Sequence, residues 1–492
     1  MKLGLLVALQ IAVSAASLVV EIVAGRMLAP HVGMSLYTWT SVIAVVLAGF
    51  SAGHWWGGRL ADRGIPTALA ATGWILLAGA LSTALATTLL AWLAGPVLAA
   101  TGHPVWGIVA LTVLVFFLPS LFAGVPAPVL AHVAVTTGTR PGRALGALFA
   151  AGAVGAIAGT LLAGFLFISW LGSSLTLALV TLAYAVAGTV LIRTAGRTAI
   201  AALALAALAL ALAGLAAAAP GPCDRESRYF CIRSVDISAD RSRPVRMMVI
   251  DHLAHGISAR DAPLVMFTDH AAMLDALARL RAPRPGFTSF FIGGGNYAIP
   301  RALALRGAGK VTVAEIDPEV TEIAVREFWF DAAGTEVIHE DARRALAASG
   351  ARYDIIIGDA FTDIAVPQHL VTKEFFQLVR DRLAPRGSYL MNVIDFEDRL
   401  DALAAITRTL AAVFPVVEVW TEQRRPEPGE RVVFVVVAGH APTAQDTIRV
   451  PSPDQTAFGA MADGFVAALI GRDDLVLTDD FSPIDRLIGR PD

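Results

Sequence analysis

Apolar residues run in long blocks from residue 1 to about residue 220, with few charges between them; beyond Cys223 the blocks shorten and charges become frequent. A helix that crosses a bilayer needs about 20 apolar residues. Seven segments reach that length, at roughly 3–24, 36–57, 68–96, 105–134, 143–169, 172–192 and 198–219. The first is too long and too lightly flanked for a cleaved signal peptide. The fourth is interrupted by Pro119, Gly124, Pro126 and Pro128. It predicts a kinked helix, or a helix followed by a re-entrant piece buried by protein. Gly152, Gly155 and Gly159 in the fifth would let a neighbouring helix approach closely.

The rest of the chain has a different period. "RYFCIRSVDI" and "VRMMVIDHLAHGI" alternate and carry β-branched and aromatic residues, which predicts a small hairpin unit. "LVMFTDHAAMLDALARL" reads as a helix. From Thr288 the pattern becomes strand, turn, helix, repeated. "SFFIG", "KVTVAEI", "TEVIHED", "YDIIIGDAF" and "GSYLMNVI" are the strands, and "AIPRALALRG", "PEVTEIAVREFW" and "KEFFQLVRDRL" are helices. Such alternation predicts a parallel, doubly wound sheet. "VVEVWTE" and "RVVFVVVAG" are later strands that suit an antiparallel edge. The expected organisation is a multi-pass α-helical membrane domain over 1–220, a small β-hairpin unit plus helix over 221–285, and a Rossmann-like α/β domain over 286–492.

Composition changes this picture little. The 492 residues are 56% hydrophobic and 16% charged, with a formal net charge of −3, so nothing points to nucleic acid. Arg placement bears on orientation. Arg59 and Arg63, Arg140 and Arg143, and Arg193 and Arg197 follow the second, fourth and sixth segments. Those loops would be cytoplasmic, and seven spans would put everything after residue 220 outside. The only two cysteines, Cys223 and Cys231, lie just after the last segment, where a disulfide would suit an oxidising compartment. Unpaired thiols are the alternative. Glu21, inside the first segment, calls for a partner, and Arg26 and His54 are candidates.

Ligands of doubly wound sheets bind beyond the carboxyl ends of the strands. Three features stand there. Gly293, Gly294 and Gly295 permit a sharp turn and close approach of a ligand. Glu315 ends the second strand about 20 residues later, the place of an acid that takes the two hydroxyls of a ribose. Asp317 directly precedes Pro318 and fits a helix cap instead. Asp341, after the third strand, can accept from an adenine amino group. Together they predict a nucleoside site. There is no P-loop and no phosphate-binding lysine, which disfavours a nucleoside triphosphate and favours S-adenosylmethionine or a relative. Asp359, after the fourth strand, would face the reacting end of the ligand and accept a proton from an attacking amine. Asp363 lies four residues on and could assist. No metal site is expected.

At these residues the chain resembles the spermidine synthase family. "IGGGNY", "VAEIDPEV", "HEDARRAL" and "YDIIIGDAFTD" match that family's four motifs in order and spacing, and "VFPVVEVWT…GERVVFVVVAG" looks like its last strands. The N-terminal half, with "SLVVEIVAGRMLAPHVGMSLYTWTSVIAVVLAGFSAGHWWGGRLADR" and the late "LTDDFSPIDRL", is similar to membrane-fused transporter/spermidine-synthase-like proteins. The resemblance implies transfer of an aminopropyl group from decarboxylated S-adenosylmethionine to an amine such as putrescine. Glu315 would bind ribose, Asp341 adenine, and Asp359 would orient and deprotonate the amine. It implies a small-molecule amine or polyamine and a lipid bilayer as partners, with a homodimer as an option. The chain departs from the pattern in three places. Asn296 stands where the family has an acid that grips the ammonium of the donor. The tyrosine-glutamine-glutamate run for the diamine is replaced by "FTDHAAM", with Asp269 and His270. His255 stands where a glutamine is usual. Asp269, His255 and Asp363 are therefore read as substrate-binding. Donor supply, which is cytosolic, argues against an outside location. Two other readings stay open: a methyltransferase using intact S-adenosylmethionine, and a transporter or sensor whose soluble part binds a nucleoside or polyamine.

Overall fold

The computed structural model describes residues 2–360, 366–450 and 455–488. The chain separates into two compact units, Met1–Cys231 and Ile232–Asp492.

The first unit is helical: α1 (Leu3–Val32), α2 (Leu36–Ala61), α3 (Ile65–Thr101), α4 (Pro104–Gly124), α5 (Pro126–Thr137), α6 (Pro141–Leu162), α7 (Ile168–Thr194) and α8 (Ile200–Ala218). Among the described residues six stretches are long and apolar enough to cross a membrane, where the hydrophobic pattern predicts seven. The difference lies in Pro141–Thr194, a stretch of 54 residues. At 1.5 Å per residue it would measure about 81 Å against a bilayer core of about 30 Å. Helical dihedrals fail within it at Gly172 (φ 72°, ψ 176°), so residues 141–171 and 173–194 are separate rods. These are the expected fifth and sixth segments. In the fourth, α4 ends at Gly124 and α5 begins at Pro126, while Val125 keeps helical dihedrals (φ −63°, ψ −38°). The result is a kinked continuous helix, with no re-entrant piece.

Close helix contacts follow the glycines. A Cβ on Gly155 or Gly159 would strike the carbonyl oxygen of Ile11 or Ala15 on α1. Gly152 faces Gln10, whose Nε2 would lie 3.2 Å from such an atom. The hydrophobic reading overlooks the same device in α2, where Gly53 and Gly57 lie against Leu121 and Val125.

Glu21 pairs neither with Arg26 nor with His54. The Arg26 guanidinium is buried and donates instead to the carbonyl oxygens of Ser227 (3.0 Å) and Tyr229. His54 is exposed. Ser227 and Tyr229 belong to a loop closed by a Cys223–Cys231 disulfide and containing the short strand β1 (Arg225–Glu226). Glu226 accepts from the Ser173 backbone N–H (2.9 Å) and from its hydroxyl. Its carboxylate thus caps the helix that restarts after Gly172, where an anion is favoured.

The second unit begins with an antiparallel sheet of β2 (Cys231–Asp236), β3 (Val245–Ile250) and β4 (Leu253–Ala259). "VRMMVIDHLAHGI" is not one strand but two. It turns at Asp251, a non-glycine residue at φ 54°. Helix α9 (Asp269–Arg281) follows. The larger sheet holds β5 (Ser289–Ile292), β6 (Val311–Ala314), β7 (Thr335–Ile338), β8 (Tyr353–Gly358), β9 (Leu383–Phe396), β10 (Val416–Glu422), β11 (Arg431–Gly439), β12 (Thr447–Arg449) and β13 (Ala457–Ala460). Its order is β12-β13-β10-β11-β9-β8-β5-β6-β7. The five strands from β9 to β7 are parallel, and β11, β10, β13 and β12 extend them antiparallel. This is a mixed, Rossmann-like sheet. β5, β6 and β8 are buried along their whole length, as parallel strands covered on both faces must be.

The connecting helices are α10 (Ala298–Leu305), α11 (Pro318–Glu327), α12 (Ala342–Ala348), α13 (Lys373–Arg382) and α14 (Asp401–Ala411). The late "LTDDFSPIDRL" ties three of these helices together. Asp479 accepts from both terminal nitrogens of Arg343 (2.7 and 2.6 Å) and from Thr372 Oγ1 (2.7 Å). The Leu477 N–H donates to Thr409 Oγ1 at 3.0 Å.

Candidate active site

Register decides where the site is. Ile292 at the end of β5 lies level with Ala314 on β6 and Gly358 on β8, and Gly358 lies level with Met391 on β9. The next residues along these strands are Gly293, Glu315, Asp359 and Asn392, one row across four neighbouring strands. β5 and β8 flank the point where the strand order reverses, the place where such sheets bind ligands.

The glycine loop fits its surroundings without spare room. Gly293 takes φ 93°, and a Cβ there would stand 3.0 Å from the Asp359 carbonyl oxygen. A side chain on Gly294 would collide with the ring of Tyr297. That ring is fully buried, stacks on Phe330 at 4.2 Å and shares a hydrogen bond with Thr321 Oγ1 (2.6 Å).

Glu315 is 6% exposed. Its Oε2 accepts from the Gly294 N–H (2.8 Å) and its Oε1 from the Asp317 N–H (2.9 Å). Burial pushes this carboxyl up, and the two N–H groups pull it back. The Gly295 N–H pulls it back as well, and of the roughly four lone-pair sites a carboxylate offers, part is left for hydroxyls. Asp317 caps α11 by accepting from the Glu319 N–H, as its position before Pro318 suggests.

Asp341 caps α12 through the Arg344 N–H (3.0 Å) and pairs with His369 Nε2 (2.7 Å). The sequence gives no sign of His369, which arrives from a separate short helix, Gln368–Leu370.

Asp359 Oδ1 accepts from Asn392 Nδ2 at 2.9 Å. Burial pushes the Asp359 carboxyl up, opposed by nearby His270 and by this hydrogen bond. The sequence motifs do not point to Asn392, although a lone amide inside a largely apolar strand is a legible signal.

Asn296 is 6% exposed and engaged at both ends. Its Nδ2 donates to Ser258 Oγ (3.0 Å) and its Oδ1 accepts from the Ala298 N–H (3.3 Å). The residue expected to meet the donor's tail thus fastens the glycine loop to β4. That strand also brings His255 to the loop: a Cβ on Gly295 would lie 3.8 Å from the His255 carbonyl oxygen.

Asp269 opens α9, next to His270. It lines a cavity of about 650 Å³ with Glu397, Glu422, Arg424 and Glu430, and none of the other expected site residues lines it. Burial, then Glu422, pushes its carboxyl up. Asp363 lies outside the described residues. Among the described residues no group of three His, Cys, Asp or Glu side chains could hold a metal ion.

Residues 289–446 match the family model described as "Spermine/spermidine synthase domain". Over 105 residues the chain is 36% identical to a probable polyamine aminopropyl transferase of Bifidobacterium longum, covering 21% of this chain and 23% of that one. It is 28% identical over 183 residues to a polyamine aminopropyltransferase of Vibrio vulnificus, covering 36% and 56%. The chain therefore spans about a quarter of the first relative and a little over half of the second. Among solved structures, a probable spermidine synthase from Corynebacterium glutamicum superposes with TM-score 0.44 and 19% identity, over 52% of this chain and 95% of that one. The C-terminal part of the chain thus carries a spermine/spermidine synthase domain, and the two relatives above are named polyamine aminopropyltransferases.

Proposed function

We propose that the protein is a membrane-bound aminopropyltransferase, moving an aminopropyl group from decarboxylated S-adenosylmethionine to an amine. The observation that carries this reading is the row of Gly293, Glu315, Asp359 and Asn392 across the switch point of the sheet. Glu315 would take the ribose hydroxyls with its remaining lone pairs, and Asp341 the adenine amino group. The sulfonium is its own leaving group, so the reaction asks for no acid. It needs a neutral amine held in line with the carbon and a base for the proton released. Asp359 suits both tasks, since burial favours a carboxyl that takes up a proton. Putrescine is the simplest acceptor of this class. Purified protein in detergent, given S-adenosylmethionine or its decarboxylated form with di- and polyamines, tests this. Methylthioadenosine with an amine heavier by one aminopropyl unit is the expected product. S-adenosylhomocysteine would make the protein a methyltransferase, and no turnover with nucleoside binding would make it a sensor or transporter.

The helical unit is proposed to span the membrane with the soluble unit outside. Three features support this orientation. Arg26, Ser173 and the 223–231 loop are joined by hydrogen bonds, so they lie at one end of the bundle. The break at Gly172 divides the 54-residue stretch into two rods, which would make seven crossings. Arg59, Arg63, Arg140, Arg143, Arg193 and Arg197 follow the even-numbered segments, whose loops belong at the other end, and basic loops favour the cytoplasm. Protease added to intact spheroplasts should digest the C-terminal unit; protection until lysis would reverse the assignment. Outside placement separates the site from the cytosolic source of its donor, which would then have to cross the membrane.

A further inference from the structure

Asn392 occupies the interior of β9, opposite Val435 of β11, and is 3% exposed. A buried amide is costly unless both its donor and its acceptor find partners. Here only half of it does. Nδ2 donates to Asp359 Oδ1 at 2.9 Å, while Oδ1 is buried and without a hydrogen-bond partner among the described residues. The Asp359 carboxylate fixes which way round the amide sits, because the reverse orientation would bring oxygen against oxygen. Among the described residues, one buried acceptor beside the carboxylate at the end of β8 is therefore unfilled. It lies in a row whose other members are a glycine loop and Glu315.

We propose that Asn392 Oδ1 accepts one N–H of the attacking amine while Asp359 accepts the other, so that the site selects a primary amino group. This rests on the aminopropyl-transfer reading above. A neutral primary amine has two N–H bonds and one lone pair. Two fixed acceptors engage both N–H bonds and leave the lone pair as the only free direction, aimed at the electrophilic carbon. The N–C bond then forms, the C–S bond breaks with its electron pair going to sulfur, and the new ammonium gives its proton to Asp359. A secondary amine has a single N–H and leaves one of the two acceptors empty. A site built to hydrogen-bond a substrate group discriminates strongly against an analogue that lacks it.

The test compares a primary diamine with its mono-N-methyl derivative, assayed under conditions that resolve transfer to each nitrogen, in wild type, Asn392→Leu and Asn392→Ser. Methylthioadenosine binding by calorimetry serves as the check on folding. Wild type should prefer the primary nitrogen by on the order of tenfold to a hundredfold. Both variants should bind methylthioadenosine normally and lose that preference: loss of the Nδ2 bond to Asp359 slows transfer to both nitrogens, but kcat/KM should fall further for the primary nitrogen than for the methylated one. Equal loss at both nitrogens, or none, would overturn the assignment. If wild type transfers to no amine at all, the aminopropyl reading fails and takes this one with it. If Asn392→Leu alone fails to bind methylthioadenosine, Asn392→Ser, which is smaller and still polar, decides.

Discussion

Asp359→Asn is expected to lower turnover by about 10²- to 10⁴-fold, the range for loss of a general base. Methylthioadenosine binding should be unchanged, because the nucleoside contacts are proposed to belong to Glu315, Asp341 and the glycine loop. The variant should also fold at least as stably as wild type near neutral pH. The sign follows from the direction of the shift. Burial raises the Asp359 carboxyl, so the folded state favours its protonated form and ionisation costs stability as pH rises through the raised value. An amide removes that cost and keeps a partner for Asn392. The same shift sets a pH dependence in wild type. The carboxylate needed for catalysis is lost as pH falls, at a pH above the ordinary aspartate value of about 3.9. The acid limb of kcat should therefore lie above that value in wild type and vanish from the residual rate of Asp359→Asn. A variant with full activity would remove Asp359 from the chemistry.

Glu315→Ala should be the more damaging change for binding. Two backbone N–H groups, of Gly294 and Asp317, lose their acceptor at once. Each hydrogen bond to a charged group is worth about 1.5–3 kcal/mol. Loss of the ribose contacts comes on top, so affinity for methylthioadenosine should fall by on the order of a hundredfold or more. Glu315→Gln should fall less, since its carbonyl oxygen can still accept from one of the two N–H groups. Calorimetric titration with methylthioadenosine separates the three proteins. Equal affinity in wild type and Glu315→Ala would mean that the nucleoside does not sit at the end of β6.

The parallel sheet was legible because most of its strands are short, rich in apolar residues and closed by glycine or acid, the pattern expected of strands covered on both faces. Glu315 and Asp359 were legible for the same reason: a carboxylate directly after such a run has few bland explanations. What escaped depends on contacts between distant residues. Asn296 looks like a ligand group by its place after three glycines, yet Ser258, 38 residues earlier, takes its amide. Arg26 looks like a partner for Glu21, yet carbonyls about 200 residues away hold it. The turn at Asp251 carries no glycine signal, because a non-glycine residue adopts a left-handed conformation there. The last strands, β12 and β13, are three and four residues long and too short to show a period. Hydropathy alone separated the segments on either side of Gly172, a boundary that helix length alone would have merged.

The most direct test of the central claim is single-turnover transfer from decarboxylated S-adenosylmethionine labelled in its aminopropyl carbons. Wild type and Asp359→Asn would each be held in detergent at enzyme excess over donor, with putrescine present. Label recovered in a longer polyamine in step with methylthioadenosine from wild type, and delayed by at least about a hundredfold in Asp359→Asn, is the result this account expects. Label remaining wholly in the bound donor with both proteins, or moving to the amine equally fast with both, would contradict it.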